Sequence, residues 1–128
     1  MAGNLKLSLT VSISAIDAVS NAAVASVGPS TFTLSATTHF FDDYFQAATV
    51  ATTVPLPATT VYSFLIINQG TNNVTVSFTP TGGTAETIVV QPGGMLCSWE
   101  IAEAAGGITA LSLTATTATT PCLVFLGA

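Results

Sequence analysis

Apolar and polar residues alternate one by one along much of this chain, and this period of two constrains the fold more than any other feature. The alternation is strictest in Leu5–Ile13, where Leu, Val or Ile holds every odd position and Lys, Ser or Thr every even one. A β-strand places successive side chains on opposite faces, whereas an amphipathic helix repeats every 3.6 residues or so. The segment therefore predicts a strand with one apolar face.

Turn-forming residues divide the rest of the chain into further short segments of the same kind. Clusters of Gly, Pro and Asn separate runs at about residues 31–36, 47–54, 61–68, 74–79, 87–91, 95–99, 108–115 and 122–126. Eight or nine short strands at hairpin-like spacing predict an all-β protein, a single antiparallel β-sandwich with a jelly-roll or Ig-like arrangement. Residues 1–128 then form one domain, in which residues 1–28 are a candidate N-terminal strand or arm.

Three stretches between these strands are less regular. The Ala-rich segment Ser14–Ser26 is compatible with either a short helix or a loop, and its pattern does not decide between them. Gly28 and Pro29 are expected to break the chain before the second strand. The aromatic stretch His39–Phe45 is interpreted as a loop that precedes the strand at 47–54.

Charge is scarce in this chain, and its scarcity bears on function. Lys6 is the only basic residue among 128, the net charge is −5, and charged residues make up 5% of a chain that is 49% hydrophobic. One lysine cannot neutralise a track of phosphates, so nucleic acid is not expected as a partner. No apolar run approaches the 18 or so residues of a membrane span, so no membrane is expected either. A surface with so few charges favours association with other proteins.

One predicted strand is apolar on both of its faces. In Val61–Asn68, Val61, Leu65 and Ile67 alternate with Tyr62, Phe64 and Ile66. Such a strand must be covered twice, by the opposing sheet and by a second layer. A second subunit is a natural candidate for that second cover.

Four of the ten aromatic residues lie within six positions, and they are the candidate interface residues: Phe40, Phe41, Tyr44 and Phe45. Aromatic side chains dominate the energetics of interface centres, and few other anchors are present in this chain. The alternative is that they close the core of their own subunit.

The sequence offers little that supports catalysis. His39 is the only histidine, and it precedes Asp42 and Asp43 closely enough to suggest a metal site or a base with its orienting carboxylate. A metal site normally pairs ligands at defined spacings, which this stretch lacks, so an exposed polar loop is the favoured interpretation. We expect no enzyme activity, no catalytic residues, no metal and no cofactor. Cys97 and Cys122 are interpreted as free thiols, although one disulfide would also be compatible with the sequence.

From Thr49 onward, the order of strands and turns resembles that of small accessory structural proteins in tailed-bacteriophage particles. The segments that carry the resemblance are Thr49–Thr53, Val61–Asn68, Thr71–Thr75, Pro92–Met95 and Val124–Leu126. In those proteins a strand ending in Asn precedes an Asn-containing turn, and a Pro-Gly turn precedes an apolar strand. The first 48 residues lie outside the resemblance, and it carries no catalytic or ligand residue.

The resemblance implies a component of the virion, assembled in the host cytoplasm. Together with the low charge, it predicts a capsid decoration (cement) protein that stabilises the shell through contacts between β-sandwiches. The expected partners are further copies, as a trimer, and other virion proteins such as the major capsid protein. The alternative is a phage tail, neck or fibre component or a surface adhesin module that binds a host glycan, with Tyr44 beside Asp42 and Asp43 as its candidate contact.

Overall fold

The computed structural model describes residues 5–16, 18–20, 22–98 and 106–128, and these ranges form ten strands. The strands are β1 (Leu5–Ile16), β2 (Ala23–Ala36), β3 (His39–Ala47), β4 (Thr52–Thr53), β5 (Ser63–Asn68), β6 (Val74–Pro80), β7 (Glu86–Val90), β8 (Met95–Ser98), β9 (Ile108–Ala115) and β10 (Thr120–Gly127). None of the described ranges contains a helix long and apolar enough to span a membrane.

Strands β3 to β10 form two four-stranded antiparallel sheets, in the orders β3-β10-β5-β8 and β4-β9-β6-β7. Their pairings are nested like those of one long hairpin: β3 with β10, β4 with β9, β5 with β8, and β6 with β7. Additional pairs, β10 with β5 and β9 with β6, roll this hairpin into two sheets. This is jelly-roll topology, so the predicted β-sandwich is confirmed and the jelly-roll alternative is the one that the chain adopts.

The main core lies between the two sheets and consists of alternate residues from their facing sides. Its members are mainly aliphatic and fully or almost fully buried; they include Val54, Phe64, Ile66, Val74, Val76, Leu111, Leu113, Val124 and Leu126. Each such side chain contributes about 1.5–3 kcal/mol when it leaves water. The apolar residues that recur with a period of two in the sequence are therefore the ones that form the core between the sheets.

Strands β1 and β2 form a separate two-stranded hairpin at the N-terminal end of the chain. The segment Ser14–Ser26, which the sequence left open, is neither a helix nor only a loop: it contains the ends of both strands and the turn between them. The expected break at Gly28 and Pro29 is wrong, because both residues lie inside β2. The register passes from Val11↔Ser30 to Ile13↔Val27, so β2 accommodates the pair as a bulge.

The expected order of loop and strand around residue 45 is also wrong. The aromatic stretch is not a loop but the strand β3, and the strand predicted at 47–54 is reduced to the two residues of β4. The hydroxyl of Thr52 explains the reduction, since it accepts a hydrogen bond from the Ala48 amide at 3.1 Å and donates one to the Val50 carbonyl oxygen at 3.1 Å. Such local side-chain bonds offer the backbone an alternative to the ladder.

The remaining strands agree with the sequence to within about two residues at most ends. β5 to β7, β9 and β10 cover the predicted segments, and β8 ends at Ser98. Trp99, which was expected at the end of that strand, lies outside the described residues, as do Glu100 and Glu103.

Candidate interaction surface

The four aromatic residues proposed for an interface divide between the two sides of β3. Phe40 and Phe45 pack against the main core and meet edge to face, with their ring centroids 6.5 Å apart. Phe41 and Tyr44 point outward and are 50% and 66% exposed. The first pair thus closes the core of its own chain, which was the alternative considered, and the second pair remains available to a partner.

A bulge in β3 causes this division. Asp42 is paired with Val124 and Phe45 with Cys122, so Asp43 and Tyr44 together oppose the single residue between those partners. The backbone amide of Tyr44 donates a hydrogen bond of 2.9 Å to the Asp42 carboxylate, which holds the extra residue in a local turn. The bulge reverses the alternation, and so Phe45 joins Phe40 on the inner side while Tyr44 joins Phe41 on the outer side.

Outward residues of β3, β10, β5 and β8 form one continuous surface, which we call the apolar outer face. Directly paired residues share a face of a sheet, and the pairings give two central rows across it: Phe41, Phe125, Leu65 and Cys97, then Leu123, Ile67 and Met95. Polar residues enter the rows on either side, with His39, Gly127 and Ser63 at one end and Gln46 and Pro121 at the other. Apart from Cys97, every member of the two central rows is an apolar or aromatic residue. The centre of this face is therefore apolar.

Part of the apolar outer face is covered within the chain itself. Phe125 is fully buried and Leu65 is 5% exposed, and Ala36 at the end of β2 packs against both. Two backbone bonds fix this junction, from the Thr37 and Thr38 amides to the Ala128 carbonyl oxygen. The second cover predicted for Val61–Asn68 therefore comes, at Leu65, from the chain's own hairpin. The flanks stay open, since Phe41 and Met95 are both half exposed.

The outer face of the other sheet has a different chemistry. Its paired rows consist mainly of small hydroxyl residues: Thr53, Ser112, Ser77 and Thr87 in one row, Thr114, Thr75 and Val89 in the second, and Thr79 and Ala110 in the third. Thr is a favoured strand residue and its hydroxyl is satisfied by water. One side of the sandwich is thus suited to solvent and the other to contact with protein.

The two cysteines lie on opposite sides of the same sheet and are free thiols in the structure. Cys122 is paired with Phe45 and Asn68 in the main core, and burial raises the pKa of its thiol to about 11. Cys97 lies on the apolar outer face and is exposed, although partial burial also raises the pKa of its thiol. A raised pKa keeps both thiols protonated at neutral pH, which does not suit a nucleophile.

The residues suspected of metal or acid–base chemistry do not converge. His39 and Asp42 stand on opposite faces of β3, because one is paired with Gly127 and the other with Val124. The Asp42 carboxylate already accepts the Tyr44 amide. No cluster of three His, Cys, Asp or Glu residues that could hold a metal ion occurs in the part of the chain that the structure describes.

An apolar cleft of about 300 Å³ opens between the sheets at the edge formed by β7 and β8. Phe64, Phe78, Ile88, Leu96 and Ile108 contribute to its wall, and Ser98 and Gly107 stand at the two ends of the undescribed segment 99–105. Its lining offers few polar groups with which to orient a small molecule.

Sequence reasoning found Phe41 and Tyr44 but missed the other half of the surface. Leu123, Phe125 and Met95 join it only because strands far apart in the chain are neighbours in the sheet, and no local pattern carries that information. The double-sided apolar pattern of Val61–Asn68 was the one available signal. No family model, curated protein or solved structure matches the chain.

Proposed function

We propose that this chain is a non-enzymatic structural subunit of a tailed-bacteriophage particle, a capsid decoration protein that joins copies of itself to one another and to the major capsid protein. The observation that carries the proposal is the contrast between the two sides of the sandwich. One outer face presents Phe41, Tyr44 and Met95, and the other presents mostly Thr and Ser. A protein that works alone has no need of such a contrast.

The exposed aromatic residues have the chemistry of interface anchors. Aromatic side chains and Met are enriched at interface centres, and a few such residues supply most of the binding energy. Phe41, Tyr44 and Met95 are still about half exposed or more, so burying the remainder would yield about 1 kcal/mol or more from each. Repetition over many contacts on a shell would multiply that gain.

The scarcity of charge supports the same proposal. Many identical subunits side by side would repel one another if each carried a large charge on its surface, and six acidic residues with one lysine is a small load for 128 residues. The two central rows of the apolar outer face contain no charged residue, and of the two acidic residues of β3, Asp42 is paired with the core residue Val124 and Asp43 lies in the bulge at the edge of the sheet. The centre of the face therefore remains free of charge, as a contact surface requires.

A second candidate function follows from the exposure of Tyr44. Jelly rolls occur in lectin domains as well as in viral capsids, and a ring that is 66% exposed beside Asp43 could stack on a sugar. In this alternative the chain is a phage tail, neck or fibre component, or a surface adhesin module, that binds a host glycan. The Asp42 carboxylate is already occupied by the Tyr44 amide, which leaves Asp43 as the free acceptor.

Locating the protein tests the proposal. Antibodies raised against the purified chain would be applied to particles released from cells that carry its gene, and gold labels would be mapped by electron microscopy. The proposal expects labels spread over the capsid shell. Labels confined to the tail or fibres, together with a glycan-array signal that Tyr44→Ala abolishes, would favour the second candidate. Unlabelled particles would contradict both.

A further inference from the structure

The base of the β1–β2 hairpin covers the centre of the apolar outer face and leaves its flanks open. Ala36, the last residue of β2, is 2% exposed and packs with Leu65 and Phe125, which are 5% and 0% exposed. In the same two central rows, Phe41 and Met95 are both 50% exposed. The cover therefore lies on the middle of the surface that the proposed function assigns to other subunits.

The described contacts hold this cover only weakly. Neither β1 nor β2 pairs with a described strand of the sandwich, so moving the hairpin away breaks no ladder between them. Of the hairpin side chains that the structure describes, Ala36 is the buried one, whereas Ser8, Thr10, Ala25 and Thr31 are exposed. Burial of one methyl group stabilises a contact only slightly, and a two-stranded hairpin has marginal stability of its own.

The two residues that follow the cover provide a pivot. The Thr37 and Thr38 amides donate hydrogen bonds to the Ala128 carbonyl oxygen at 3.0 and 3.2 Å, and the Ala128 amide donates one to the Thr38 carbonyl oxygen at 2.9 Å. These bonds tie the linker to the end of β10 and do not involve the hairpin itself. The hairpin can therefore move away from Leu65 and Phe125 while β3 keeps its place in the sheet.

We propose that the hairpin is a reversible cover that inhibits association until a partner displaces Ala36 from Leu65 and Phe125. Once the hairpin has moved away, the two uncovered residues join Phe41 and Met95 in one apolar surface. This inference rests on the proposed function, because it assigns a regulation to the same contact face. A closed cover withholds the centre of that face, so the apparent dissociation constant for a partner is the intrinsic one divided by the open fraction. Free copies then associate less than their apolar residues alone would allow.

Thiol labelling with N-ethylmaleimide measures the opening directly. A chain with Leu65→Cys and Cys97→Ser carries one thiol under the cover and one, Cys122, in the main core, where it reports unfolding of the sandwich itself. The thiol at position 65 is expected to react about tenfold faster than Cys122 or more, because the cover opens more often than the whole chain unfolds. Equal rates would show that only global unfolding uncovers position 65, and they would overturn the inference.

The same substitution at two alanines of β2 then changes the cover with a matched control. Ala36→Asp places a carboxylate in the buried contact, where its desolvation favours the open state. Ala25→Asp adds the same charge at an exposed position of the strand. In the labelling chain, Ala36→Asp should accelerate the reaction at position 65 about tenfold or more and leave that of Cys122 unchanged, and Ala25→Asp should change either rate by less than about twofold. Equal effects of the two substitutions at position 65, or no effect of either, would overturn the inference.

Association gives the second readout. In sedimentation velocity without the labelling substitutions, Ala36→Asp should form oligomers at about tenfold lower protein concentration than Ala25→Asp. Weaker association of Ala36→Asp would show that the hairpin is part of the contact and not its inhibitor. Circular dichroism verifies the fold of each variant, and if Ala36→Asp does not fold, the comparison of position 65 with Cys122 decides. Faster labelling at position 65 in a chain absent from phage particles would refute the proposed function alone; gold-labelled particles together with equal rates at the two thiols would refute this inference alone.

Discussion

The side-chain amide of Asn68 donates a hydrogen bond of 3.0 Å to the carbonyl oxygen of Val90, and this bond joins the two sheets through the core. Asn68 belongs to β5 and is fully buried, and Val90 ends β7 in the other sheet. The same amide donates to the Asn72 carbonyl oxygen at 2.7 Å, and its oxygen accepts the Gly70 amide at 3.0 Å. One side chain thus fixes a loop and the spacing between the sheets.

Replacing Asn68 by Leu should destabilise the fold well beyond an ordinary substitution. The change keeps the size of the side chain but leaves the Val90 and Asn72 carbonyl oxygens without their donor, and each buried unsatisfied group costs about 1–3 kcal/mol. We expect a loss of about 2–4 kcal/mol in the free energy of unfolding, measured by urea denaturation. The exposed Asn73→Leu serves as control and should stay within about 0.5 kcal/mol; equal losses would remove Asn68 from this role.

Gly107 combines a left-handed backbone conformation with a close approach to another strand's backbone. Its φ is +80°, and an added β-carbon would lie 2.8 Å from the Val61 carbonyl oxygen, which is anchored by the Ile108 amide at 2.7 Å. Gly82 has a similar φ of +71° but open space around it. Both alanine variants carry the backbone strain of about 1 kcal/mol or more, so Gly107→Ala should lose at least about 1 kcal/mol more than Gly82→Ala. Equal losses in urea denaturation would show that the contact with Val61 is harmless.

The bulge in β3 predicts opposite outcomes for two adjacent aromatic residues. Phe45→Ala removes a ring that packs on the core and should destabilise the monomer by about 2–3 kcal/mol, while Tyr44→Ala should cost less than about 1 kcal/mol. Thermal unfolding at low concentration, where association is negligible, makes the comparison. If Tyr44→Ala were the more damaging of the two, the assignment of inner and outer sides would be reversed.

Alkaline pH should weaken the fold through Cys122. Burial raises the pKa of this thiol to about 11 in the folded state, against its ordinary value of 9.0. Between these values the unfolded chain releases the proton and the folded chain retains it, so the free energy of unfolding falls as pH rises from about 9 to about 11. Cys122→Ala should flatten that part of the profile relative to wild type, with Cys97→Ser as the comparison for an exposed thiol. If the free energy of unfolding fell equally with pH in wild type, Cys122→Ala and Cys97→Ser, the raised pKa would not belong to Cys122.

How far the sequence could predict this molecule depended on whether its signals were local. Alternation and turn-forming residues identified the sandwich and most strands, because a half-buried strand requires apolar and polar residues to alternate along the sequence. The bulge at Asp43 and Tyr44 has no such signature: regular alternation would group Phe41 with Phe45, whereas the structure groups Phe40 with Phe45.

Long-range pairing hid the rest of the candidate surface. Phe125 and Cys97 share a row with Phe41 only through the strand order of the sheet, which hydrophobic periodicity does not encode. The strand break predicted at Gly28 and Pro29 was wrong for a related reason. These residues usually end strands, but here they occupy a bulge in a two-stranded hairpin. At a bulge the ladder tolerates a proline, which has no backbone N–H to donate.

Association through the apolar outer face is the central claim, and sedimentation velocity over a range of concentrations tests it most directly. Wild type is compared with Phe41→Ser plus Tyr44→Ser, and with Val89→Ser, which alters an equally exposed apolar residue on the opposite sheet. We predict that wild type forms a discrete oligomer. The double variant should need about tenfold higher protein concentration or more to form that oligomer. Val89→Ser should behave as wild type. A wild-type protein that sediments as a monomer at every concentration, or equal weakening by Val89→Ser, would contradict the account.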